Sequence, residues 1–294
     1  MKRVVALGFF DGVHLGHGAL LRRTAEKAEE LGCRACAMTY DLPPRTVVTG
    51  RPVPLLCGQS DRAELMSRLY GVKEVIFEHF DERFMHMPWR DFVTDILSRD
   101  LEAVHVVAGH DFTFGYGGEG NASRLSELCG GLGIGCDIIP AQTLDGIVIS
   151  STYIRGLIAE GDVERAARFL GHNYRLSGRV AHGRGLGRSL GFPTANIPVP
   201  HDRQAPAWGV YFTKVTACGG VFPAVTNIGL RPTVGHGGAP LVESSLIDAE
   251  LDLYGREIHV DFFRFARAEK RFESLDALRA GIAGDFENAR AFFY

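Results

Sequence analysis

The stretch Gly8-Phe9-Phe10-Asp11-Gly12-Val13-His14-Leu15-Gly16-His17 decides the fold of the first half of this chain. Ahead of it, Arg3 to Leu7 is short, β-branched and apolar, the pattern of a buried strand. Behind it, Leu20, Leu21, Thr24, Ala25, Ala28 and Leu31 recur at helical spacing between Gly18 and Leu31. His14 and His17 therefore sit where a strand turns into a helix. Side chains three apart share a helix face, and the N–H groups at a helix start favour anions. A phosphate-rich ligand fits that corner. The competing reading makes both histidines ordinary turn residues.

A length of 294 residues suits two domains or one large one. With 46% hydrophobic and 23% charged residues, the composition is that of a globular protein with a sizeable core. A net charge of −3 argues against broad binding to nucleic acid or a membrane surface. Six cysteines in so long a chain do not suggest a disulfide framework. Cys33 and Cys36 form a lone C-x-x-C in an expected strand, which favours reduced core thiols over zinc. No run is long enough to span a bilayer, and the charged and apolar start lacks a cleavage site. A cytoplasmic protein is expected.

Downstream, Cys33 to Thr39 reads as a second strand, broken by Asp41-Leu42-Pro43-Pro44. A helix is expected from Ser60 to Tyr70, ending at Gly71, and another from Trp89 to Arg99 after Pro88. Val75 to Phe77, Val104 to Ala108 and Cys136 to Ile139 supply further strands. Strands alternating with helices predict a parallel sheet covered on both faces, with its ligand at the carboxyl ends. Gly109-His110-Asp111-Phe112-Thr113-Phe114-Gly115 follows the fourth strand, where glycines admit a ligand and the phenylalanines can pack on a planar ring. Anchoring of the loop to the core is the alternative. Gly115 to Gly120 matches G-x-G-x-x-G but does not follow a strand directly, so it is discounted as a dinucleotide fingerprint. Ser150-Ser151-Thr152-Tyr153-Ile154-Arg155 places hydroxyls and a guanidinium at a helix start, a further phosphate-binding arrangement.

From Tyr174 the texture changes. Arg175–Ala181, Val210–Thr216, Val221–Ile228, Leu241–Ile247 and Ile258–Phe265 read as strands, with a hairpin at Cys218-Gly219-Gly220. Five or six strands with few helices suggest a small antiparallel barrel, closed by a helix that Ser274 caps. Between the first strands, residues His182 to Asn196 form a glycine-rich, arginine-bearing loop able to wrap phosphates. No G-x-x-x-x-G-K-[ST] occurs, so no Walker-type loop holds a nucleotide.

These motifs together resemble prokaryotic bifunctional riboflavin kinase/FAD synthetases. G-x-F-D-G-x-H-x-G-H, G-x-D-F-x-F-G and S-S-T-x-I-R are similar to three signatures of the adenylyltransferase module, which moves AMP from ATP onto FMN. Gly185-Leu186-Gly187-Arg188-Ser189-Leu190-Gly191-Phe192-Pro193-Thr194-Ala195-Asn196 resembles the long signature of riboflavin kinases. Asn227 to Thr233 and Asp252 to Gly255 extend that likeness. The resemblance implies an α/β nucleotidylyltransferase domain with a Rossmann-like parallel sheet at 1–171. It implies a six-stranded antiparallel riboflavin-kinase β-barrel with a terminal helix at 172–294.

The same resemblance assigns roles. Glu243, His14, His17 and Arg155 would be catalytic. Gly8, Phe10, Asp11, Gly12, Ser151, Thr152, Gly185, Gly187, Arg188, Thr194 and Asn196 would hold ATP and its phosphates. Asp111, Phe112, Phe114, Gly191, Phe192 and Pro193 would meet the flavin, and Thr194 and Asn196 would serve Mg²⁺, which favours oxygen ligands. ATP, riboflavin and FMN would be substrates, and FMN and FAD products. The chain departs from the pattern at Phe9, at Pro43 where relatives carry histidine, and at His110 where an acidic residue is usual. Two alternatives follow: a riboflavin kinase with an impaired adenylyltransferase half, or a non-catalytic flavin- or nucleotide-binding regulator.

Overall fold

Apolar runs buried on both faces become a parallel sheet of five strands: β1 (Arg3–Leu7), β2 (Arg34–Tyr40), β3 (Glu74–Glu78), β4 (Ala103–Gly109) and β5 (Gly135–Ile139). Their order is β3-β2-β1-β4-β5, each pair parallel. Val4, Val5 and Ala6 of β1 and Val106, Val107 and Ala108 of β4 are completely buried, as a sheet covered on both sides requires. Leu20, Leu21, Leu65 and Met66 cover one face; Phe92, Val93, Leu97 and Leu125 cover the other. The order reverses between β1 and β4, so the crevice outside their carboxyl ends is the place for a ligand.

The computed structural model describes residues 1–182, 187, 190–230 and 240–294. It falls into two units, Met1–Ser151 and Thr152–Tyr294. The division precedes the change of sequence texture near Gly171. Helices Ser151–Glu160 and Val163–Leu170 belong with the second unit, where the Ala207 amide donates to the Ile158 carbonyl at 3.2 Å and Arg264 pairs with Glu164 at 3.0 Å.

Most expected elements are present, with two differences in the helices. The helix expected to start behind Ser60 begins at Gln59, behind Gly58, which offers no side-chain cap. The expected helix from Trp89 to Arg99 is α-helical over Trp89–Asp91 and then widens to a π-helix over Phe92–Asp100. The wider turn brings Phe92 and Leu97, five residues apart, onto one buried face. Residues Gly115 to Gly120 form a looped excursion, with Phe114 bridging back to Gly120, and the next helix (Ala122–Gly131) is capped by Asn121. They do not occupy a strand–helix junction.

A two-stranded ribbon of β6 (Thr143–Leu144) and β7 (Ile147–Val148) ends the first unit. The second unit is a six-stranded antiparallel sheet made of β8 (Tyr174–Arg179), β9 (Ala195–Pro198), β10 (Gly209–Ala217), β11 (Gly220–Leu230), β12 (Pro240–Leu246) and β13 (Glu257–Ala268). Its order is β8-β13-β10-β11-β12-β9. The Ala181 amide donates to the Asn196 carbonyl at 2.8 Å, bringing the two edges together towards a barrel. At the β10–β11 hairpin, Cys218 and Gly219 both have positive φ (50° and 77°), the twist that a two-residue hairpin loop needs. The terminal helix (Leu275–Phe293), capped by Ser274 on the Ala277 amide at 3.1 Å, lays Ile282, Phe286 and Ala289 on Val210, Phe212 and Val225. β9 starts at Ala195 and Asn196, the last two residues of the glycine-rich stretch, so the end of that stretch opens the sixth strand.

Candidate active sites

In the first unit the chain leaves β1 through a strained turn. Phe10, Gly12 and Val13 have φ of 56°, 78° and 44°, and two of them are not glycine. The surroundings impose that shape. The Gly12 amide donates to Cys57 Sγ at 3.1 Å, and Asp11 Oδ1 accepts from the Leu56 amide at 2.8 Å. Ser151 Oγ donates to the Asp11 carbonyl at 3.0 Å. Phe10 is completely buried with its ring edge-on to His17 at 5.3 Å. Asp11 and Phe10, expected to touch phosphate, thus shape the turn from inside through their side chains. Burial pushes the Cys57 thiol up to about 12, so it stays protonated.

His14 caps the first helix (Leu15–Leu31): its Nδ1 accepts from the His17 amide at 3.2 Å. That bond leaves Nε2 as the protonated nitrogen of His14. The two imidazoles stack with centroids 3.6 Å apart and planes 11° apart. Burial, then the nearby His14 and Arg62, holds the His17 pKa well below its ordinary value. Its Nδ1 is buried with no hydrogen-bond partner among the described residues. The stacked pair thus stands beside the free N–H groups of a helix start, a position that favours an anion.

Leu7 pairs with Ala108, so Gly8 and Gly109 leave the sheet side by side at the switch point. Phe112 and Phe114 stack at 5.4 Å; Phe114 is buried against Phe92, whereas Phe112 is half-buried. Phe114 therefore anchors the loop to the core, and Phe112 packs against the same cluster with part of its ring left open. Asp111 is exposed, and His110 faces it at 3.9 Å. Ser151 ends the first unit and Thr152 and Arg155 open the second, with Arg155 Nη2 donating to Thr152 Oγ1 at 3.0 Å. Two residues before Pro43, Asp41 Oδ2 lies 2.6 Å from His79 Nδ1.

In the second unit, strand register aligns one row of side chains. Arg267 on β13 lies opposite Val210, Val210 opposite Asn227, Asn227 opposite Glu243, and Glu243 opposite Asn196. All five line a cavity of about 670 Å³, which Gly187, Phe192 and Thr194 also line and the terminal helix borders. Asn196 is buried; its Nδ2 donates to the Thr194 carbonyl at 3.2 Å, and its Oδ1 has no partner among the described residues. An oxygen left unsatisfied on a cavity wall is waiting for a donor or a cation. Gly187 is needed as glycine, since a Cβ would stand 2.4 Å from the Phe192 carbonyl. Gly191, Phe192 and Pro193 border a second hollow of about 410 Å³ beside the first. Gly185 and Arg188 lie outside the described residues, as does most of the loop before Glu243.

Two contributors escaped the sequence reading. Asn227 was seen within a strand, but the register that sets it beside Glu243 is a cross-strand property. Arg62 belongs to no motif, yet Leu65, Met66 and Leu69 follow it at helical spacing and mark its face as buried. Among the described residues, no cluster suits a metal held by His, Cys, Asp or Glu.

Comparison with known proteins covers both halves. A family model described as FAD synthetase matches residues 1–153, and one described as riboflavin kinase matches residues 170–293. The bifunctional riboflavin kinase/FMN adenylyltransferase of Pseudomonas fluorescens is 39% identical over 290 residues, covering 98% of this chain and 92% of that protein. The protein of the same description from Escherichia coli K12 is 38% identical, covering 99% and 92%. A crystal structure described as a macrolide-efflux protein from Streptococcus pneumoniae superimposes with a TM-score of 0.87 at 28% identity, covering 98% of this chain and 94% of the other. No described helix of the present chain is long and apolar enough to cross a membrane.

Proposed function

The chain belongs to the bifunctional riboflavin kinase/FMN adenylyltransferase family, and from that premise we propose how its residues divide the work. It phosphorylates riboflavin with ATP, giving FMN and ADP, and joins FMN to the AMP of a second ATP, giving FAD and pyrophosphate. Both halves match, which favours two activities over a kinase with an idle first half or a regulator without catalysis. We assign adenylyl transfer to 1–171 and the kinase to 172–294; the matched ranges end at 153 and begin at 170.

For the kinase, the carrying observation is the row Asn196–Glu243–Asn227 across three strands of one cavity wall. Glu243 takes the proton of the ribityl hydroxyl as that oxygen bonds to the γ-phosphorus of ATP and the bond to the ADP oxygen breaks. Asn196 and Thr194 present oxygens to the phosphate end, and the unsatisfied Asn196 Oδ1 suits the hard-cation preference of Mg²⁺. Bound there, Mg²⁺ would neutralise charge on the phosphates. By resemblance to the family, Gly185, Gly187 and Arg188 would contact the phosphates, and Gly191, Phe192 and Pro193 the flavin.

For adenylyl transfer, an FMN phosphate oxygen attacks the α-phosphorus of ATP and pyrophosphate leaves. His14, through Nε2–H, and His17 donate to the polyphosphate oxygens, with the Gly8 to Gly12 main chain and the helix start beside them. Ser151 serves the leaving pyrophosphate, and the half-buried face of Phe112, with Asp111 beside it, receives the isoalloxazine ring. The cytoplasm, with its ATP and reduced thiols, is the compartment this chemistry requires. Chromatography of products from riboflavin and Mg-ATP tests the whole reading: FMN should accumulate first and FAD follow. Accumulation of FMN without FAD or pyrophosphate would restore the kinase-only alternative.

A further inference from the structure

Arg62, on the helix Gln59–Tyr70, is 1% exposed and the largest fully buried side chain among the described residues. Burying a guanidinium is costly unless acceptors surround it. Its Nη1 donates to the Phe9 carbonyl at 2.8 Å, Thr39 Oγ1 at 3.0 Å and the Tyr40 carbonyl at 3.2 Å. Thr39 Oγ1 donates in turn to the same Phe9 carbonyl at 2.8 Å. The guanidinium carbon stands 4.5 Å from the Phe9 ring centre and 5.3 Å from that of Phe77. Phe9 follows β1, Tyr40 ends β2 and Phe77 lies in β3. One buried cation therefore ties together the carboxyl ends of three neighbouring strands, at the edge that bears the strained turn.

That turn is held from its far side by the Asp11–Leu56 and Ser151–Asp11 hydrogen bonds already described. On its near side the Phe9 carbonyl is fixed by Arg62 and Thr39. Left-handed conformations at Phe10 and Val13 persist only where the surroundings determine the backbone from both ends. The geometry points to Arg62 as a positioning residue for adenylyl transfer: by holding the Phe9 carbonyl it sets the Gly8 to Val13 main chain, and through it the facing of His14 and His17, without itself being accessible to the nucleotide. All three acceptors are served from Nη1, and the guanidinium also lies against the Phe9 and Phe77 rings, aromatic contacts that a compact ammonium makes less well. Together with His14, Arg62 is also one of the charged or titratable groups that act on His17, so its removal has an electrostatic signature separate from geometry.

This inference rests on the assignment of the first signature to the nucleotide, and the experiment separates the two. In the full-length chain, Arg62→Gln, Arg62→Lys and His17→Ala are assayed for pyrophosphate release from FMN and Mg-ATP, and for FMN formation from riboflavin. Arg62→Gln is expected to lower kcat for adenylyl transfer on the order of 100-fold, with KM for ATP changed by no more than about 3-fold and flavokinase activity retained. Arg62→Lys should recover part of the rate. In NMR titrations the His17 imidazole should titrate at higher pH in Arg62→Gln than in Arg62→Lys, because lysine keeps the charge. Wild-type adenylyl transfer in Arg62→Gln overturns the inference, and so does an unmoved His17 titration with both activities reduced equally. Should Arg62→Gln fail to fold, Arg62→Lys decides: a reduced kcat supports the role and a wild-type kcat rejects it. Full adenylyl transfer in His17→Ala would instead remove the nucleotide assignment.

Discussion

Glu243 on β12 stands directly opposite Asn196 on β9, and Asn227 on β11 flanks it on the other side. Antiparallel neighbours in register have Cβ atoms about 5 Å apart, so carboxylate and amide share one patch of cavity wall. The carboxylate is thereby placed beside the oxygens that would carry the phosphates.

Replacing Glu243 by Gln should lower flavokinase kcat about 100- to 10,000-fold, the usual loss of a general base. FAD formation from supplied FMN should be untouched. Rates of FMN appearance by chromatography check both, and a normal flavokinase rate would dismiss Glu243 as the base.

Asn196→Ala should raise the Mg²⁺ concentration needed for half-maximal flavokinase activity by about 10-fold or more, as loss of a groups-orienting oxygen does at metal sites. Stability should fall by no more than about 1 kcal/mol, because the change removes one hydrogen bond and one unsatisfied oxygen. A Mg²⁺ titration unchanged from wild type would place the cation elsewhere.

His17 provides a pH dependence whose sign is set by its lowered pKa. Between that lowered value and the ordinary 6.5, the unfolded chain binds more protons than the folded one. Stability of the first unit therefore rises with pH across this window and declines as pH falls through 6.5 towards the lowered value. His17→Gln should flatten this part of the profile of thermal midpoint against pH. An identical slope in the variant would show that His17 does not contribute.

Gly115 has φ of +74°, and a Cβ there would stand 2.5 Å from the Trp89 Cα. Gly115→Ala should destabilise the first unit by about 2 kcal/mol or more and lower adenylyl transfer while flavokinase activity persists. Calorimetry of the full chain, looking for a shifted lower transition, is the measurement.

Phe112 and Phe114 should separate cleanly. Phe114→Ala opens a core cavity and should cost about 3–5 kcal/mol. Phe112→Ala should be milder for stability but raise KM for FMN about 10-fold, the equivalent of one lost stacking contact. Equal effects of the two on both quantities would take the flavin away from Phe112.

Much of this protein was legible in its sequence because the signals are local. Periodicity located most of the longer strands and helices of both halves, Ser274 marked a helix start that the structure caps as expected, and Cys218-Gly219 specified its hairpin. What tertiary structure alone decided depends on residues far apart in the chain. Register across β11, β12 and β9 set Asn227, Glu243 and Asn196 in one row, and no local pattern encodes which residue faces which across a sheet. Packing turned Asp11 towards the amides of Leu56 and Cys57 and drove Arg62 beneath Phe9, because a buried charge goes where folded backbone offers it partners.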